Sequence, residues 1–207
     1  MSQTRQRRHV RTKQAILDAA LEIVVQDGPA ALSMRSLADR IDYSPAGLYE
    51  YFGSKEEIIA AVCDEGQRML YEAMEQVDAG LPPVEHLYGI GKAYIDFALE
   101  HPDYFLLMFT VVQPPDAANI PPEMMEQMMR GEGTAYGLLL HAIQRGIDLG
   151  AFPVRPGFGL NEMGYAAWTL VHGIAMLRIT ALRPYPVDLE AMDDQALANF
   201  VRGLQAA

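Results

Sequence analysis

At 207 residues, half of them hydrophobic, the chain is long enough for one or two domains with a real core and too apolar to be disordered. One cysteine, Cys63, excludes an intramolecular disulfide. The net charge of −11 argues against nucleic acid as a partner, but the charge is unevenly spread and the local field decides docking: residues 1–55 hold 8 Lys/Arg against 6 Asp/Glu, and the remainder 8 against 21. The first 13 residues carry Arg5, Arg7, Arg8, Arg11 and Lys13 and no acid. A cationic tip on an anionic body would orient the molecule on a polyanion.

In chain order, Ala15, Ile16, Ala19, Ala20, Ile23 and Val24 mark one face of an amphipathic helix. It is expected from about Arg8 to Gln26, with Gly28-Pro29 ending it. Ser33 is the expected N-cap of a short second helix that turns Leu37, Ala38 and Ile41 inward. Asp42-Tyr43 makes a turn. Ser44 then caps a third helix with Pro45 at its first position, where a missing N–H costs nothing. Leu48 and Phe52 form its apolar side and Gly53 breaks it. Ser54 and Glu57 read as a capping box opening a long helix to about Val77. Beyond Gly80, prolines punctuate the chain, and helices are expected near 84–100, 103–111, 122–149, 158–182 and 188–205. Strand-like alternation is absent. The expected fold is all-α, with about nine helices.

The segment from Ser33 to Glu57 has the layout of a helix-turn-helix reader of duplex DNA. From Ser44 to Tyr51 the outward residues are small or planar: Ser44, Pro45, Ala46, Gly47, Tyr49 and Tyr51. Small side chains let a backbone approach base edges, and serine and tyrosine hydroxyls bond phosphates. Ser33, Arg35 and Lys55 flank the segment as expected phosphate contacts, and the N-terminal arginines are candidates for the minor groove. No Lys or Arg lies between Ser44 and Tyr51, so bases would be read by Pro45 or Ala46 against thymine methyls, by Glu50 accepting from a cytosine amine, or through DNA shape. The plainer reading is three short helices packed on one another.

These residues resemble the DNA-binding domain of the TetR family of bacterial transcriptional regulators. The likeness runs from Ile16-Leu17-Asp18-Ala19-Ala20 through Ser33, Ile41, Ser44, Leu48-Tyr49 and Tyr51-Phe52 to Ser54-Lys55-Glu56. Asp42 and Glu50 depart from it: the family often has a turn glycine at the first position and a basic residue or histidine at the second. Trp168-Thr169-Leu170-Val171-His172-Gly173 is similar to the WHG-type C-terminal domain of a subset of the family. The resemblance implies residues 1–53 as N-terminal arm and DNA-binding domain, and 54–207 as a helical ligand-binding and dimerisation domain. The last two helices would pair with those of a second copy, with Gly164, Ala166, Ala167, Gly173 and Ala175 allowing close approach.

The body concentrates aromatics and methionines. Tyr94, Phe97, Phe105, Met108, Met128, Trp168 and His172 are the candidate lining of a mostly apolar pocket, with Met124, Met125, Met129 and Tyr136 nearby in sequence. Each is equally at home in an ordinary core, and His172 reads first as a hydrogen-bonded core histidine. Cys63 reads as a small buried hydrophobe.

The expectation is a ligand-responsive, cytoplasmic DNA-binding regulator: a homodimeric repressor on a palindromic operator, released by a small lipophilic effector. The alternative is a small-molecule sensor or carrier that no longer binds specific DNA, with Glu50 as its motive. Catalytic motifs (HExxH, GxSxG, P-loop, GxGxxG) are missing, and His9, His86, His101, His141 and His172 are scattered without ligand spacing. No enzyme activity, metal or cofactor is expected. The longest apolar run, Met163 to Leu177, falls short of the roughly 20 residues that span a bilayer, so no membrane partner is expected either.

Overall fold

The computed structural model describes residues 3–111, 131 and 133–205. Among them are nine α-helices and no strand. The described chain forms two compact units.

The first unit holds the described residues up to Gly66 together with those from Asp103 to Val111. Helix α1 spans Gln3–Asp27, α2 Met34–Arg40 and α3 Pro45–Leu48. Helix α4, Lys55–Glu75, begins in this unit and continues beyond Gly66 into the second. Helix α6, Pro102–Leu106, widens into a π-helical turn at Leu107–Val111, within the range expected for one helix at 103–111. Ile16, Ala20 and Ile23 of α1 pack with Leu37 of α2, Leu48 of α3, Phe52, Ile58 and Val62 of α4, and Leu107. Ala15 is exposed and Leu17 is buried, so the buried stripe is rotated slightly from the expected one. The Glu65 carboxylate ties three helices together, accepting from Gln14 Nε2 at 3.2 Å and from the Tyr104 hydroxyl at 3.3 Å.

Two helices of this unit differ from expectation. Helix α1 starts five residues before Arg8, because nothing in the polar run from Gln3 to Arg7 breaks a helix. Helix α3 is a single α-turn, and Tyr49 to Tyr51 continue as turns with Tyr51 N–H on the Leu48 carbonyl at 2.9 Å. Ser54 caps α4 as expected, accepting the Glu57 N–H at 3.2 Å. The Glu57 carboxylate reaches one residue further back than a regular capping box and takes the Gly53 N–H at 2.6 Å.

The second unit contains the rest of α4, α5 at Pro83–Glu100, α7 at Ala135–Asp148, α8 at Leu160–Ile179 and α9 at Glu190–Gln205. Pro83 opens α5 at its first position. Thr134 caps α7 by accepting the Gly137 N–H at 2.9 Å. The part of the expected 122–149 helix before Thr134, with Met124, Met125, Met128 and Met129, falls almost entirely outside the described residues. Leu87, Leu139, Ile143, Phe152, Met163, Val201 and Leu204 form the core. Lys92 of α5 lies within 4 Å of Asp96, Glu190 and Asp194, which fastens α5 to the start of α9. Burial alone would depress the Lys92 pKa, and these carboxylates outweigh it and raise it.

Candidate nucleic-acid interface

The helix-turn-helix is built by two serine caps and one strained turn. Ser33 Oγ accepts the Ser36 N–H at 3.0 Å, and Ser36 Oγ accepts the Ser33 N–H at 2.9 Å, a capping box made by two serines. The chain then turns at Asp42, which adopts φ 51°, with the Tyr43 N–H on the Ala38 carbonyl at 2.9 Å. This is the left-handed region, where an L side chain crowds the following carbonyl oxygen and aspartate fares better than most. Asp42→Val is therefore expected to lower stability by about 1–2 kcal/mol, and Asp42→Gly to leave it unchanged or raise it by under about 1 kcal/mol. Urea unfolding checks this, and a loss in the glycine variant would contradict it.

Ser44 caps α3 by accepting the Gly47 N–H at 3.0 Å, which leaves its own proton free to donate. Ser33, Arg35, Ser44, Pro45, Ala46, Tyr49 and Glu50 are all exposed, while Gly47 and Lys55 are half-buried. Tyr51 is half-buried too, packed against the head's core. Its ring stacks on His9 of α1 at 4.6 Å and meets Tyr43 edge-on at 6.3 Å. Gly47 serves packing as well as access, since a Cβ there would come within 2.6 Å of the Tyr43 ring. Tyr43 titrates above its ordinary value, first because of its hydrogen bond with Tyr51; the Glu50 charge adds to this and the Arg8 charge opposes it. Arg40 is held by Glu22 at 3.2 Å and Asp27 at 3.7 Å.

Tyr43 was legible only as part of the turn and His9 only among scattered histidines, and their contacts with Tyr51 escaped the sequence reading. The one signal for His9 was its spacing from Lys13, four apart in a basic helix. The N-terminal arginines, candidates for the minor groove, belong to α1 from its first turn and are exposed on a regular helix.

The fold resembles solved structures along almost its full length. A Rhodococcus sp. RHA1 protein of unknown function matches with a TM-score of 0.75 at 22% identity, covering 94% of this chain and 95% of that one. The TetR family transcriptional regulator PfmR of Thermus thermophilus matches with a TM-score of 0.68 at 24% identity, covering 92% and 99%. At these identities the likeness establishes the fold alone. Two family profiles match the sequence: that of bacterial regulatory proteins of the tetR family over residues 16–62, and the tetracyclin repressor-like C-terminal domain over residues 87–200, more than half of the chain. The chain belongs to the TetR family. The HTH-type transcriptional regulator YobS of Bacillus subtilis is 29% identical over 94 residues, 45% of this chain and 49% of that protein. The HTH-type transcriptional repressor KstR of Mycobacterium tuberculosis is 34% identical over 82 residues, 39% of this chain and 37% of that protein. The chain thus spans half or less of the length of these curated relatives. The TetR family is one of regulatory proteins and not of enzymes.

In the C-terminal domain of this TetR-family chain, three of the candidate ligand residues come together. The buried Tyr94 hydroxyl lies 2.9 Å from His172 Nδ1, and the Trp168 and His172 rings are 5.7 Å apart. Burial pushes the Tyr94 pKa up and the His172 pKa down, which favours the neutral form of each ring. The Trp168 side chain also hydrogen-bonds Tyr94, with its indole N–H as the only donor it has. Tyr136 stands edge-on to Trp168 at 5.7 Å. His172 therefore has the hydrogen-bonded setting expected of a core histidine. Phe97 is buried beside His101, at 5.2 Å between rings. Phe105 and Met108 are buried in the first unit, where Phe105 packs on Phe109 and Met108 on Gly66. Met128 lies outside the described residues.

One buried and one half-buried imidazole give this domain a pH dependence. His172 and His86 both titrate below the ordinary 6.5, chiefly through burial, with the Arg145 charge adding to the effect at His86. Each binds a proton more readily in the unfolded chain, so their contribution to stability is complete above 6.5 and is lost as pH falls below it. Denaturation midpoints are expected to drop between neutral pH and pH 5.5, less steeply in His86→Phe. An unchanged slope in that variant would contradict the assignment.

No helix among the described residues is long and apolar enough to cross a membrane. Cys63 is half-buried, and its thiol is pushed up to about 11, first by burial and then by Asp64, so it is poorly suited to redox chemistry.

Proposed function

We propose that the chain is a ligand-responsive repressor that binds a palindromic duplex operator as a homodimer and is released by a small, mainly apolar effector. The observation that carries this is the exposed, serine-capped turn of α3, presented by α2 and the Asp42 turn. Residues 1–53 act as the DNA-binding domain and 54–207 as the effector and dimerisation domain. Ser33, Arg35, Ser44, Tyr49, Tyr51 and Lys55 bond phosphates, and Gly47 lets the backbone close on the groove. Pro45 and Ala46 meet thymine methyls, and Glu50 accepts from a cytosine amine. The name of KstR as a repressor supports the direction of control.

One head covers a few base pairs, so two copies reach half-sites roughly 34 Å apart or a multiple of that. The contact is made by α8 and α9. Gly164, Ala167 and Ala175, expected to face a partner helix, are buried in the protomer's own core, with Gly164 against Leu140. The exposed side of α8 carries Tyr165, Thr169, Gly173 and Leu177, where Thr169 is polar, Gly173 is half-buried and open space faces Gly173. On α9, Met192 is exposed.

The effector enters the C-terminal domain, with Tyr94, Trp168 and His172 as the polar end of an otherwise apolar site. Phe97, on the same helix as Tyr94, supplies apolar surface, whereas Phe105 and Met108 belong to the first unit's core. Effector binding favours a second spacing of the heads, and by linkage DNA weakens effector binding as much as effector weakens DNA binding. Action on chromosomal DNA places the protein in the cytoplasm. Thermal-shift screening with apolar and polar compound sets tests the effector class. Stabilisation by apolar compounds that also release a bound duplex is expected, and stabilisation by polar anions alone would contradict it.

A further inference from the structure

The turns of α1 from Arg5 to Lys13 precede its buried face, which begins at Ile16. They are polar, rich in arginine and without a core of their own, and unsupported helix of this length is marginal in water. Among the described residues, the His9 and Lys13 side chains hold them to the head. The His9 imidazole stacks on Tyr51, with planes 20° apart and centroids at 4.6 Å. One turn further, the Lys13 ammonium lies 5.2 Å over the Phe52 ring. His9 and Lys13 share a helix face, and Arg5, four residues before His9, lies on it too. Tyr51 touches Tyr43, and Tyr43 lies over Gly47 of α3. A row of rings therefore joins the basic turns of α1 to the base-reading turn, and Arg8 is near enough to act electrostatically on the Tyr43 hydroxyl.

We propose that His9 is a positioning residue for duplex DNA. Its stack on Tyr51 fixes the basic turns of α1 beside α3, so that Arg5 and Arg8 meet phosphates flanking the bases that α3 reads. The inference rests on the DNA-binding function proposed above. His9 acts here through its flat ring, since a stacked pair needs only a planar partner. The arginines act on the backbone and not in the minor groove, because a helix about 10 Å across does not enter a groove about 6 Å wide.

The test measures binding of the full chain to a fluorescent random-sequence duplex by anisotropy over a series of salt concentrations. Each phosphate contact contributes about 0.9 to the slope of log affinity against log salt. Arg5→Gln with Arg8→Gln is expected to flatten that slope by about 2. His9→Ala is expected to flatten it by about 1–2 and weaken binding about tenfold at low salt. His9→Phe keeps the stack and is expected to bind like wild type, and adding His9→Ala to the arginine pair changes little further. Thermal unfolding of the head is expected to be unchanged, because His9 is exposed. His9→Ala with a wild-type slope would overturn the proposal, as would His9→Phe binding as weakly as His9→Ala, which would make the imidazole itself the contact. Wild-type protein that binds no duplex at any salt would overturn the DNA-binding function and this inference with it.

Discussion

Tyr165→Glu combined with Leu177→Glu is expected to convert the protein to monomers and to weaken binding to a palindromic duplex by about 10²–10⁴-fold. Both side chains belong to α8, which is apolar almost all the way round, yet Tyr165 is 61% and Leu177 50% exposed. Thr169 and Gly173 lie between them on the same side, and open space faces Gly173, so a partner helix would meet little obstruction there. Two carboxylates per protomer would have to be buried unpaired at such a contact, which costs far more than a surface charge. The loss on DNA is large because a dimer binds its second half-site at high effective concentration. Light scattering and anisotropy read the two effects separately. The double variant is expected to keep wild-type affinity for a single half-site. Dimers that persist in it would place the contact elsewhere.

Phe152→Ala is expected to destabilise the C-terminal domain by about 3–5 kcal/mol. The Phe152 ring is fully buried and packs with Leu139, Ile143, Met163 and Val201. It seats directly on Gly146 of α7, where any Cβ would collide with it. The Gly146 carbonyl also accepts the N–H groups of Ala151 at 2.8 Å and Phe152 at 3.1 Å, which curls the chain back onto the helix. The neighbours are parts of three helices and cannot all close over the missing ring, so a cavity remains. Gly146→Ala is expected to cost about 1–3 kcal/mol by overpacking the same contact. Urea unfolding followed by far-ultraviolet circular dichroism measures both. A cost under about 1 kcal/mol for Phe152→Ala would mean that the core rearranges freely.

Much of the head was legible because its signals are local. Ser33, Ser44 and Ser54 each cap a helix by accepting an N–H three residues on, and such bonds follow from spacing alone. Asp42 reads as a poor stand-in for glycine, and it does take positive φ. What the sequence concealed depends on tertiary contact. The Ser33 box closes through Ser36 in place of the usual Glu or Gln, so no capping-box motif marked it. The stack of His9 on Tyr51 joins residues far apart in the chain. Small residues on α8 read as a partner seam, yet Gly164 and Ala175 pack inward, because composition does not say which side of a mostly apolar helix meets the protomer's own core. Of the candidate effector residues, helical spacing joined Trp168 to His172, whereas the Tyr94 bond to His172 spans 78 positions.

The central claim is sequence-specific recognition by a dimer. Selection of bound duplexes from a random library by the purified protein, at near-physiological salt, tests it most directly. The expected result is an inverted repeat whose half-sites lie about one helical turn apart or a multiple of that. Recovery of no motif, with only weak and salt-sensitive binding, would contradict it and favour a sensor or carrier in which Glu50 has closed the groove to α3.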